Sequence, residues 1–166
     1  MGAVGGVVLR EVDVAEAWSV APFAGRTGEV DAALRAVGLG FPAPNGVIWA
    51  GAARAIWAGR GRALIVGVGI PEGIQGLAAV TAQGAGIAAL EVSGAQAEAV
   101  LARLVPVDLR AAVFPEGRTV RTMVNHMAAQ VSRVGAEAFE IMVMRSMGHT
   151  LVHELRDAAR MVAARG

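Results

Sequence analysis

His149 and His153 stand four residues apart near the C-terminal end of the chain. On a helix they would share one face, the spacing that zinc sites on helices use. His126, the remaining histidine, could add a third ligand from the middle strands of the second half. No HExxH surrounds the pair, and with no cysteine in the chain a fourth ligand would be a carboxylate or water. Exposed or capping histidines are the plainer expectation. The pairing of His153 with Glu154 offers no catalytic dyad, because adjacent helical residues point in different directions. Nucleophiles are scarce as well. Ser19, Ser93, Ser132 and Ser146 are the only serines, and none lies in a G-x-S-x-G elbow. The absence of lysine and tyrosine removes a Walker lysine, a Schiff-base lysine and a tyrosine acid or base.

Two glycine-rich stretches could cradle phosphate, and both fail on context. Gly84-Ala85-Gly86-Ile87-Ala88-Ala89 satisfies a relaxed G-x-G-x-x-A pattern. A dinucleotide site needs a strand before such a run and a helix opening at it, the reverse of the order expected here. Gly67-Val68-Gly69 ends a strand, but Pro71-Glu72-Gly73 follows in place of the required spacing. Trp18, Trp49 and Trp57 could stack a pterin or a base. Three tryptophans around a small core are more often packing or interface anchors. Methionines gather in the second half, with Met142 and Met144 alternating on one strand face as adaptable filling. No catalytic, cofactor-binding or metal-binding residue is therefore expected in this chain.

The elements that would position these residues follow from periodicity. Trp18 to Phe23 reads as a strand. Val30, Ala33, Leu34 and Val37 mark a helix at i, i+3, i+4 and i+7. Val47 to Ala50, Arg54 to Ala58 and Arg62 to Val68 read as strands joined by glycine-containing turns. Pro71 then suggests a helix start, with the helix over Ile74 to Ala82. The second half repeats the order. Gly86 to Val92 is a strand, and Ser93-Gly94-Ala95-Gln96 has capping-box form ahead of a helix carrying Ala97, Val100, Leu101 and Leu104. Thr119 to His126, Ala128 to Val134 and Ala138 to Arg145 are strands. A final helix has Leu151, Leu155, Ala158 and Val162 as its apolar stripe. The expected fold is α+β: two β-α-β-β-β-α halves, residues 17–83 and 84–166, with antiparallel sheets packed by helices in a single domain.

Composition narrows the function classes. The chain has 166 residues, one domain by length. All 15 basic residues are arginine, but 14 acidic residues leave a net charge of +1, too little for a nucleic-acid footprint. Hydrophobic residues make up 55% and charged residues only 17%, against about 25% in an average domain. With 22 glycines besides, so much apolar surface exceeds one small core, so part of it should face a partner. The N-terminal Met1-Gly2-Ala3-Val4 lacks a basic signal region, and no uncharged apolar stretch has the length and character of a membrane span. With no cysteine for disulfides, a cytoplasmic location is expected.

Several segments together resemble a known family. Ser93-Gly94-Ala95-Gln96-Ala97, then Val100-Leu101-Ala102-Arg103-Leu104-Val105-Pro106-Val107-Asp108-Leu109-Arg110, form the first block. Phe114-Pro115-Glu116-Gly117, Arg118-Thr119 through His126-Met127, Phe139 to Val143, Arg145-Ser146 and His153-Glu154-Leu155 continue it in order. This series resembles the gamma subunit of heterotetrameric sarcosine oxidase, a family similar to the folate-binding fold of glycine-cleavage aminomethyltransferases. The resemblance covers about Gly84 to Arg165. One departure is plain: where the family carries Asp-Gln-Ser, this chain has Ala82-Gln83-Gly84. The resemblance implies a complex of four different chains that oxidatively demethylates sarcosine to glycine. It places FAD, FMN, NAD and tetrahydrofolate in the two larger chains (alpha and beta) and zinc in the smallest (delta). The gamma chain would carry no catalytic residue of its own. A related N-methyl amino acid dehydrogenase subunit is one alternative. A free-standing folate-binding, aminomethyltransferase-like protein is another, with a pocket lined by Trp18, Trp49 or Trp57 and arginines for the folate's glutamate tail.

Overall fold

Strand-forming segments rich in Val, Ile and Ala alternate with glycine turns along most of the chain, and the computed structural model, which describes residues 3–165, builds them into eleven strands and three helices among those residues. In chain order these are β1 (Ala3–Val4), β2 (Val7–Val12), β3 (Ala17–Pro22), α1 (Thr27–Leu34), β4 (Val47–Ala50), β5 (Ala53–Gly59), β6 (Arg62–Val66) and β7 (Ala78–Ala82). They continue with β8 (Ile87–Ser93), α2 (Ala97–Leu101), β9 (Thr119–Val124), β10 (Met127–Gly135), β11 (Ala138–Met144) and α3 (Gly148–Ala163). The chain divides into two units, one of residues 3–12 with 86–165 and the other Asp13–Ala85.

The first unit holds a six-stranded antiparallel sheet in the order β1-β2-β8-β11-β10-β9. Leu90, Val92, Phe139, Ile141, Val143, Ala129 and Val131 supply one buried face. Helix α3 lays Leu151, Leu155, Ala158 and Ala159 against that core, with Val162 partly buried beside it. The stripe is the one its 3.6-residue period predicts. The second unit holds a five-stranded antiparallel sheet, β4-β5-β6-β3-β7, under α1, whose Val30 and Leu34 are buried with Val20, Ala55, Ile65 and Ile74. The α+β class with antiparallel sheets and few helices thus holds.

Three local expectations do not. The helix expected over Ile74 to Ala82 is a single 3-10 turn, Glu72–Ile74, followed by β7. Gly76 takes φ 77, a left-handed turn that a helix cannot absorb, and the residues beyond it complete a ladder on β3. The first half therefore ends in a strand, not a helix. The residues before Trp18, for which no element was expected, supply β1 and β2. Finally, Ser93 does not cap α2. It pairs with Ala138 and Val8 inside the sheet. The first turn is instead closed by backbone, Ala97 N–H donating to the Gly94 carbonyl at 2.8 Å, and Gln96 makes no side-chain cap.

Strand order brings out a relation between the halves. In each half the strand before the helix pairs with the third strand after it, giving β3-β6-β5-β4 and β8-β11-β10-β9. The strand flanking β3 is β7, the segment leading into the second half. The strand flanking β8 is β2, the segment leading into the first. Each sheet thus borrows its extra strand from the sequence preceding the other half.

Candidate functional site

Arg133 is a buried arginine with four side-chain hydrogen bonds. It sits on β10 at 2% exposure, and its guanidinium lies 4.4 Å from the centre of the Phe139 ring. Its Nε donates to the Phe114 carbonyl and its Nη1 to the Ala136 carbonyl, both at 2.6 Å. Nη2 donates to the Leu109 carbonyl and to Glu98 on α2, the latter at 2.9 Å. Two of these carbonyls belong to residues 102–118, the long connection from α2 to β9, which has little regular structure but buries Leu104, Val105, Leu109 and Phe114. A cleft of about 390 Å³ opens beside this cluster, lined by Glu98, Arg133, Glu137 and Phe139 with the small residues Gly94, Ala95, Ala99 and Ala102. Three of its bonds go to backbone carbonyls and one to the Glu98 carboxylate, so the guanidinium ties these segments together.

The same connection carries Asp108 and Arg110. The Arg110 guanidinium brackets both Asp108 carboxylate oxygens, and the Arg110 backbone N–H donates to Asp108 at 3.0 Å. First the Arg110 side-chain bonds and then its backbone N–H hold the Asp108 carboxyl down at about 2 against an ordinary 3.8. A depressed carboxyl contributes stability above its unfolded value, lost as pH falls from about 4 through about 2. NMR titration of the Asp108 carboxyl carbon should show a midpoint at about 2, rising towards 3.8 in Arg110→Ala. A midpoint near 3.8 in the unaltered chain would contradict the bracket.

The histidines do not converge. His149 lies in the first turn of α3, exposed. His153, one turn on, is also exposed, and its Nε2 lies 3.2 Å from Asp157. His126 is in the two-residue turn between β9 and β10, which is tied to α3 by Asn125 Nδ2 donating to Glu154 at 2.6 Å. Among the described residues, no three His, Asp or Glu side chains gather as a metal site. A small cavity of about 190 Å³ at the start of α3 brings Glu11, Arg145 and His149 together against Ala88, Leu90 and Val152. Ser132 is buried, its hydroxyl 2.7 Å from that of Thr119, so it serves the β9–β10 pairing.

The tryptophans do not share a wall. Register pairs Trp49 with Arg54, and Trp18 with Ile65, which in turn pairs with Ala55. Side chains alternate along β5, so Trp18 and Trp57 lie on one face of the sheet and Trp49 on the other. Trp49 instead stacks beneath the Arg54 guanidinium at 5.5 Å. Trp18 packs against the core under α1, with its Nε1 buried and unbonded. The three share a half of the sequence, but strand register separates them.

Several large apolar side chains are exposed as well. In the first unit Val8, Val113, Met123, Met144, Met147 and Met161 stand out, Met144 at 61%. In the second, Phe23, Trp49 and Val80 do. Met142, on the same strand face as Met144, is buried, so the methionines divide between filling the interior and facing outwards.

Residues 71–161 match the model of the sarcosine oxidase, gamma subunit family. The match begins earlier than the segment resemblance, taking in β7. Among solved structures, the chain is similar to one in heterotetrameric sarcosine oxidase from Corynebacterium sp. U-96 in complex with pyrrole 2-carboxylate. The identity is 26% and the TM-score 0.83, with 97% of this chain and 87% of that chain covered. No curated protein matches the chain. The chain belongs to the sarcosine oxidase gamma subunit family.

Proposed function

We propose that, as a member of this family, the chain is the non-catalytic gamma subunit of a heterotetrameric oxidase that demethylates sarcosine to glycine. The observation that carries this is likeness over nearly the whole length, 97% of the chain at a TM-score of 0.83, to a chain of such an enzyme. The bonding of Arg133, spent largely on backbone carbonyls, is in keeping with it. Oxidation of the N-methyl group needs a flavin-type acceptor. In this reading the FAD, FMN, NAD and tetrahydrofolate belong to the alpha and beta partners, and a delta chain completes the assembly. The halves 17–83 and 84–166 are read as pseudo-repeats of a folate-binding-like fold, on the strength of their equivalent strand orders. Among the described residues no helix is long and apolar enough to cross a membrane, and the cytoplasm is the compartment proposed.

The test is reconstitution. The chain is co-expressed with the alpha, beta and delta candidates of its own genome. It should co-purify with flavin and sarcosine-oxidising activity, and omitting it should lower that activity or the yield of complex. Activity towards another N-methyl amino acid in place of sarcosine would move the reading to the sister dehydrogenases. A chain that elutes alone, leaves activity untouched and shows tryptophan quenching on titration with tetrahydrofolate would replace it with a free-standing folate binder.

A further inference from the structure

Strand β7 is an open sheet edge without the usual protection. It pairs only with β3, and its residues 79–82 are exposed on both faces. The ladder shows which backbone groups are free. Phe23 N–H donates to the Leu77 carbonyl and Gln83 N–H to the Ala17 carbonyl, so Leu77 and Gln83 are bonded positions in this register. Antiparallel pairs alternate, so Ala79 and Thr81 also bond β3, while the N–H and C=O of Ala78, Val80 and Ala82 point away from the sheet. Natural edges are blunted by charge, proline, bulges or brevity. Among the described edges, β9 carries Arg121 and follows Arg118, β1 is two residues long, and β4 follows Pro42 and Pro44. Strand β7 has none of these devices, and no ionisable side chain occurs anywhere from Gly73 to Leu90.

We infer that β7 accepts an extended strand from a partner subunit, continuing the five-stranded sheet by β-augmentation. This rests on the subunit reading above. Three outward amide–carbonyl sets call for an extended backbone, and the uncharged surroundings call for uncharged residues on the incoming strand. A second copy does not fit. Two β7 strands would meet over five residues with Val80 as the largest side chain, far short of the ~1,200 Å² of a stable interface. The incoming strand must therefore belong to a chain held over a wider surface.

Residue-resolved hydrogen exchange tests this on the chain alone and on the complex co-purified with the alpha-chain candidate. The Ala78, Val80 and Ala82 amides should exchange freely in the isolated chain and slow by about tenfold or more in the complex. Those of Ala79 and Thr81 should be protected in both. Val80→Pro removes an outward donor without touching the β3 ladder and should weaken co-purification by about tenfold. If that variant fails to fold, Ala82→Lys places a charge at the edge for the same purpose. A stable complex in which the three amides still exchange as in the free chain overturns the edge assignment and leaves the subunit reading standing. Failure to form any complex overturns both. Concentration-dependent protection in the isolated chain identifies a second copy and overturns the choice of partner.

Discussion

Arg133→Met should lower the unfolding free energy by about 3–5 kcal/mol, the largest loss expected of any single side chain here. The methionine is apolar and of similar length, so it fills the space but leaves the Phe114, Leu109 and Ala136 carbonyls without their donor. Each buried acceptor so orphaned, at Phe114 and Leu109, costs roughly 1–3 kcal/mol, and water can take the place of the donor at the exposed Ala136. The ion pair with Glu98 contributes less. Glu98 is 43% exposed and water screens it, so Glu98→Gln should cost under about 1 kcal/mol. Arg133→Lys keeps the charge but cannot fork to three carbonyls, and its loss should fall between the two. Urea denaturation with fluorescence detection gives all three values. A methionine variant within about 1 kcal/mol of the parent would show that residues 102–118 hold their course without the guanidinium.

Gly84→Ser, which introduces the serine of the Asp-Gln-Ser pattern in the family resemblance, should destabilise the chain by about 3 kcal/mol instead of improving it. A Cβ at Gly84 would lie 1.9 Å from the Ala15 carbonyl oxygen and 2.8 Å from that of Val14. Both neighbours are backbone, so no rotamer change relieves the contact. Gly84→Ala should cost nearly as much, because the Cβ alone makes the clash. Ala82→Asp, the companion change, falls on the exposed β7 and should be nearly neutral in the isolated chain. A melting temperature unchanged in Gly84→Ser would mean that the 13–16 segment shifts freely. The departure from the Asp-Gln-Ser pattern is therefore matched by a close backbone approach that glycine alone permits.

Local pattern settled much of this protein. The α3 stripe was legible because a 16-residue helix repeats its period often enough to be unambiguous. The hairpin β9–β10–β11 was legible from β-rich runs separated by short turns. The family was legible because an ordered series of segments from Gly84 onward, none diagnostic alone, is specific together.

Tertiary structure decided the rest. Ile74 to Ala82 has enough alanine and leucine to suit a helix. Gly76 breaks it, and the open side of β3 then recruits Ala78–Ala82 as a strand, a long-range choice invisible to a short window. Residues 3–12 become strands only because β8 offers an edge some eighty residues away in sequence. The separation of Trp49 from Trp18 and Trp57 is a matter of register, since one step along a strand reverses the face. Arg133 looked like any other of the chain's arginines. Its role arises from three carbonyls that meet only when residues 102–118 fold over β10, and that meeting is a property of chain geometry, not of residue type.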